Sequence, residues 1–121
     1  MNAVFKRRSR EFEKLLEKET DKAVAESVEV MAGRIKALTP VRTGRLRSSI
    51  TPSSRLLDGR CPSGEGQVGT NVEYAPYVEY GTRHQKPQAY MRRGAEASLE
   101  TVRRIFSDRL GRLSLDSEVS R

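Results

Sequence analysis

Four stretches of the chain carry regular patterns of apolar and polar positions. From residue 3 to 38, Phe5, Phe12, Leu15, Leu16, Ala23, Val24, Val28, Met31, Ile35 and Leu38 recur mostly at spacings of three, four and seven. That period predicts one long amphipathic helix. Attractive and repulsive charge pairs on its polar face are similar in size and offset one another, so the apolar stripe carries the prediction. At about 1.5 Å per residue the helix would be roughly 50 Å long. A domain of this size is narrower than that, so part of the stripe is expected to meet another subunit. Gly33 marks a bend or a close approach. Pro40 sets the helix end, because the residue before a proline avoids helical angles.

The second stretch is TPVRTGRLRSSI, residues 39–50. Thr43-Gly44 is a turn signal. Leu46, Ser48 and Ile50 then alternate with Arg45, Arg47 and Ser49, which predicts a strand with a basic outer face, stopped by Pro52. Residues 52–66, rich in Pro, Gly and Ser, predict a loop. In the third stretch Val68, Thr70, Val72 and Tyr74 alternate with polar or small residues, a second strand. The two strands are expected to pair antiparallel. Directly after it, Pro76 suits the first turn of a helix and Gly81 the position past a helix end, so Tyr77, Val78 and Tyr80 fill a single capped turn.

The fourth stretch follows the polar run Thr82 to Lys86 and Pro87. Met91, Ala95, Leu99, Val102, Phe106 and Leu110 recur every three or four residues. They predict a C-terminal helix from 88 to 110, weakened early by Gly94 and capped by Gly111. Residues 1–10 read as a basic arm and 114–121 as a frayed polar tail. The fold class is therefore α+β: a long N-terminal helix, a small antiparallel sheet with a short helical turn, and a C-terminal helix, in one domain of 121 residues.

Composition sharpens this reading. Apolar residues make up 36% of the chain and charged residues 32%, with no Trp. So lean a core suggests an open or elongated shape, or a subunit that completes its core with neighbours. The net charge of +7 is uneven. It concentrates in the N-terminal arm (Lys6, Arg7, Arg8, Arg10), in residues 41–60 (Arg42, Arg45, Arg47, Arg55, Arg60) and in residues 81–93 (Arg83, Lys86, Arg92, Arg93). Such stretches suit phosphate backbones, an acidic protein surface, or plain solvation. Cys61 is alone, so no disulfide forms within the chain, which fits a reducing compartment. No apolar run spans a membrane, and the acidic residues after the basic start argue against a signal peptide.

Catalytic signals are weak. His84 is the one histidine, in a polar loop beside Arg83 and without an adjacent carboxylate, whereas a general base needs a positioned partner. A Cys61–His84 pair is the only thiol–imidazole combination on offer. One Cys and one His make no zinc site in a single chain, and no Gly-rich loop cradles a phosphate. Catalytic, metal and cofactor sites are therefore not expected. For DNA, the candidates are Arg42, Arg45, Arg47, Arg83, Arg92 and Arg93. Because the tyrosines are not interleaved with them, the expectation is contact with the backbone rather than base stacking or base reading.

Several segments together resemble a known family. TPVRTGRLRSSI, VGTNVEYAPYVEYGT and KPQAYMRRGAEAS after a long N-terminal helix are similar to the small tail-component family of tailed bacteriophages, the neck or tail-completion proteins. The most specific pieces are Pro40 with Thr43-Gly44-Arg45-Leu46, and Tyr74-Ala75-Pro76-Tyr77 with Glu79-Tyr80-Gly81-Thr82. The chain departs from that pattern at Arg42, Ala89, Tyr90 and Arg93. The resemblance implies a non-enzymatic virion subunit, assembled in the host cytoplasm and located in the neck or tail. It implies a homo-oligomeric ring, a hexamer, bridging the connector or stopper to the tail terminator or tail tube, with genome DNA in the lumen and no membrane partner. In that reading Phe12, Leu16, Tyr74, Tyr77 and Tyr80 meet sister subunits or partners.

Overall fold

The computed structural model describes the backbone of residues 2–42 and 44–119, and the side chains of residues 10–42 and 44–112. The elements in chain order are α1 (Asn2–Leu38), α2 (Arg45–Ser49), β1 (Thr51–Ser54), β2 (Gly66–Gly69), α3 (Ala75–Tyr80) and α4 (Tyr90–Val119).

α1 is the axis of the molecule. Its 37 residues run without a break, about 55 Å at the helical rise. Gly33 marks no break and no close approach: the helix runs through it, and a Cβ added there meets open space. Burial along α1 begins late. Ala23, Val24, Val28, Ala32 and Ile35 are buried, whereas Phe12, Leu15 and Leu16 stay between 37% and 50% exposed. The arm continues the helix in its backbone from Asn2, and its side chains before Arg10 lie outside the described residues.

α4 packs antiparallel along α1. Arg34 donates to the Ala97 carbonyl at 3.1 Å and to Thr101 Oγ1 at 3.4 Å. Farther along, Arg109 reaches Glu19 at 3.2 Å and also pairs with Glu26. These two carboxylates, Glu26 foremost, raise the Arg109 pKa above its ordinary value against the opposing effect of burial. The helices meet closely at Gly94, where a Cβ would lie 2.6 Å from Ile35 Cα and 2.8 Å from Ile35 N. The buried face of α4 is Tyr90, Gly94 and Ser98, while Leu99 is 48% exposed. So the seam is set one residue off the Met91–Ala95–Leu99 stripe, because small residues allow the backbones to approach. Gly111 is not a cap: α4 continues through it to Val119, so the expected polar tail is helical in its backbone that far. Ser120, Arg121 and the side chains after Arg112 lie outside the described residues.

The sheet corrects two expectations. Arg45–Ser49 is a helix, not a strand. Leu46 and Ile50 are four apart, so the helical period buries both, and Ser48, which a strand would have buried with them, is exposed. Gly44 opens this element with φ of 81°, and Thr43 of the expected turn lies outside the described residues. The strand instead begins at Thr51 and includes Pro52, which pairs with Val68 in an antiparallel ladder. In a two-stranded ribbon every strand is an edge, where proline's missing donor is tolerated. β2 ends at Gly69, earlier than its alternation suggested. The Thr70 hydroxyl accepts from Val72 N–H at 3.1 Å and meets Ser49 Oγ at 2.5 Å, which turns the chain out of the ladder.

The ribbon lies across the middle of α1. Asp21 is nearly buried and accepts from Ser63 Oγ and, at 2.8 Å, from Gly64 N–H. Gly66 lies so close that an added Cβ would sit 2.6 Å from a Val28 methyl. The main core gathers at the C-terminal end of α1: Ala32 and Ile35 with Leu46, Ile50, Val72, Ala75 and Tyr90.

Candidate assembly surface

α3 is braced by the chain that follows it, and it carries the exposed tyrosines. Pro76 opens it, and Gly81 closes it with φ of 80°, its N–H donating to the Tyr77 carbonyl at 2.9 Å. Any Cβ at Gly81 would fall 2.7 Å from Pro87 N and 2.8 Å from Gln85 O, so both the angle and the space demand glycine. The chain then makes a tight turn, with Thr82 and Gln85 exchanging backbone hydrogen bonds. It returns along α3, where Gln88 and Ala89 donate to the Val78 and Glu79 carbonyls. Finally, the Glu79 carboxylate accepts from the N–H groups of Met91 (2.8 Å) and Arg92 (3.2 Å). A side chain of α3 thus caps α4, satisfying donors that every helix start leaves open. Nothing local in the sequence shows this cap, since Glu79 lies eleven residues before Tyr90.

On this frame Tyr77 is 60% and Tyr80 77% exposed. Tyr74 is placed differently: it is half-buried against the core, with the Arg45 guanidinium 5.7 Å from its ring centroid. Tyr90 is 1% exposed and its hydroxyl donates to the Ala75 carbonyl at 3.4 Å. Burial first, and then the nearby Glu79 and Tyr74, push the Tyr90 phenol above its ordinary pKa.

A second apolar surface lies toward the other end of α1. Phe12, Leu15 and Leu16 form a stripe there, and the Arg55–Glu17 ion pair (3.3 Å) holds the connection after β1 beside it. Leu56 and Leu57 on that connection are 56% and 39% exposed. From Leu16 to Ile35 the distance along the helix is roughly 28 Å, so the two surfaces lie far apart.

The arginine candidates converge at the tyrosine end. α2 and the start of α4 share the core around Ile35, which brings Arg42, Arg47, Arg83, Arg92 and Arg93 to one end of the molecule, all exposed. Arg93 donates to the Gln88 carbonyl. Arg45 is engaged by both Glu73 oxygens, at 3.2 and 3.1 Å. The Glu73 backbone N–H, and then Arg45, hold the Glu73 carboxyl below its ordinary pKa. Glu73 and Glu79 are therefore occupied within the chain. Arg55 and Arg60 lie with the ribbon instead.

Cys61 and His84 are not brought together. Cys61 is half-buried beside Ser53 in the ribbon connection, near the Asp21 level of α1, whereas His84 is exposed in the turn after α3. Among the described residues, no group of three or more His, Cys, Asp or Glu is placed to hold a metal. No described helix is long and apolar enough to cross a membrane.

Residues 3–81 match the family described as "Bacteriophage HK97-gp10, putative tail-component". The chain belongs to this family. It is a structural component of the phage tail, and its partners include other virion proteins. No curated protein and no solved structure matches the chain. The match covers α1, the ribbon and α3 up to Gly81, the residue that closes the tyrosine turn. In this tail component α4 lies beyond the matched region, yet it is tied to it by Glu79 and by the Gly94–Ile35 contact.

Proposed function

We propose that this tail component assembles with copies of itself as a ring, a hexamer, at the head–tail junction, where it bridges the connector or stopper to the tail terminator or tail tube. It acts in the neck, is put together in the host cytoplasm, and works by binding alone, with no catalytic step and no cofactor. The observation that carries this reading is the set of large apolar side chains left uncovered on a chain with little apolar content: Phe12, Leu15, Leu16, Leu56 and Leu57 at one end, Tyr77 and Tyr80 at the other. A contiguous apolar surface on a folded chain marks a site of protein contact. Sedimentation of the purified chain tests the ring: a species several times the 13.6 kDa chain mass is expected, and a monomer at high concentration would count against it. Capture of purified connectors and tails tests the bridge, and failure to bind either would remove it.

A second reading is favoured by the gathering of Arg42, Arg47, Arg83, Arg92 and Arg93 at one end, where Glu73 and Glu79 are taken up within the chain. In that reading the basic end contacts the DNA backbone in the lumen. Duplex binding should then fall steeply with salt. Absence of binding at low salt would end it.

A further inference from the structure

We propose that the copies join head to tail: the α3 tyrosines of one copy seat on the Phe12–Leu16 surface of the next. This inference rests on the ring reading and names the two surfaces that make its contact. The first argument is their number and placement. An isologous dimer uses the same surface on both subunits, whereas a heterologous contact needs two different surfaces on each chain and can close into a ring. This chain carries two dissimilar apolar surfaces, roughly 28 Å apart along α1. Val41, after α1, and Leu99, on α4, are also exposed.

The second argument is shape. The N-terminal surface carries three large side chains, Phe12, Leu15 and Leu16, on α1, and the Arg55–Glu17 pair ties to the same helix the connection on which Leu56 and Leu57 are exposed. The tyrosine surface is narrow: two rings on a six-residue helix. Gly81 and the Glu79 cap hold that helix in place, so its rings are presented with little freedom to lose. Rigid aromatic anchors entering an apolar surface are the usual centre of a protein contact.

The third argument is polarity around the edges. Glu11 lies one helical turn from Leu15, and Glu13 three residues from Leu16, so carboxylates flank the stripe. Both are exposed and neither is in an ion pair among the described residues. Arg83 and Lys86 follow the tyrosines and are exposed likewise. Arg10, Lys14 and Lys18 are exposed on the same turns, so the rim is mixed, and it is pairing of Glu11 and Glu13 with Arg83 and Lys86 that would fix the register, the carboxylates also offering acceptors to the tyrosine hydroxyls.

Mixing two variants tests this. One carries Phe12→Ser and Leu16→Ser, the other Tyr77→Ser and Tyr80→Ser; all four side chains are exposed, and circular dichroism checks that each variant keeps its helices. Each variant alone should self-associate more weakly than the parent by roughly thirtyfold or more. An equimolar mixture should form a one-to-one dimer and stop there, because only one intact surface of each kind remains. A tyrosine variant that still forms rings, or a mixture that stays monomeric, overturns the head-to-tail contact while leaving a parental ring in place. A parental chain that is monomeric at every concentration overturns the ring reading and this contact with it.

Discussion

At the scale of single residues, neighbours decide what a glycine is worth. Gly33 and Gly111 are exposed, helical and free of contacts, so each costs stability with nothing returned. Gly33→Ala and Gly111→Ala should each raise stability by about 0.5–1 kcal/mol. Gly94→Ala is the same chemical change with the opposite sign, because its methyl would enter the Ile35 backbone. It should lower stability by about 1–3 kcal/mol. Urea unfolding of the three variants checks both directions. Tyr90 gives a pH dependence. Its phenol is held neutral by burial, so the folded pKa lies above the unfolded one. The stability this contributes is complete below about pH 10 and is lost as pH rises through the folded pKa. Tyr90→Phe should cost no more than about 1 kcal/mol at neutral pH, since only one long hydrogen bond goes. It should also flatten the alkaline loss of stability, read from denaturant midpoints between neutral pH and about pH 11.

Between elements, two buried or capping carboxylates connect parts that are distant in sequence. Glu79 ties α3 to the first turn of α4. Glu79→Ala should cost about 1–2 kcal/mol, the usual worth of an N-cap. Amide exchange should locate the effect, with protection lost at Met91 and Arg92 first and retained in the middle of α1. Such a cap is invisible to a local search of the sequence, because its donor and acceptor belong to different helices. Asp21 performs the matching task for the ribbon, accepting from Ser63 and Gly64. The hairpin and its leucines are thereby anchored to the helix that carries Phe12 and Leu16.

For the molecule as a whole, the tail component is a helical rod with its main core at one end. α1 begins burying its stripe near Asp21, and before that Phe12, Leu15 and Leu16 stay exposed. Assembly should therefore add stability that depends on protein concentration. The melting temperature should rise as concentration rises, and the Phe12→Ser, Leu16→Ser variant should lose that dependence. Calorimetry over a hundredfold range of concentration would show it. A melting temperature independent of concentration in the parental chain would mean that the exposed stripe is covered by nothing in solution.

The sequence by itself determined the elements whose signals are local. α1 and α4 follow from long apolar periods, and α3 from Pro76 and Gly81 bracketing one turn; that an antiparallel pair exists was legible, but its first strand was not, since Thr51–Ser54 pairs where Arg45–Ile50 was expected to. Tertiary structure decided the rest. Leu46 and Ile50 satisfy a period of two and a period of four equally well, and only the core around Ile35 selects the helix. The face of α4 that meets α1 was set by how closely Gly94 lets the backbones approach, not by the greasiest stripe. The gathering of arginines from two separate stretches, and the capture of Glu73 and Glu79, likewise depend on contacts between residues far apart in the chain. Periodicity reports what each segment does against an unspecified partner; only the fold supplies the partner.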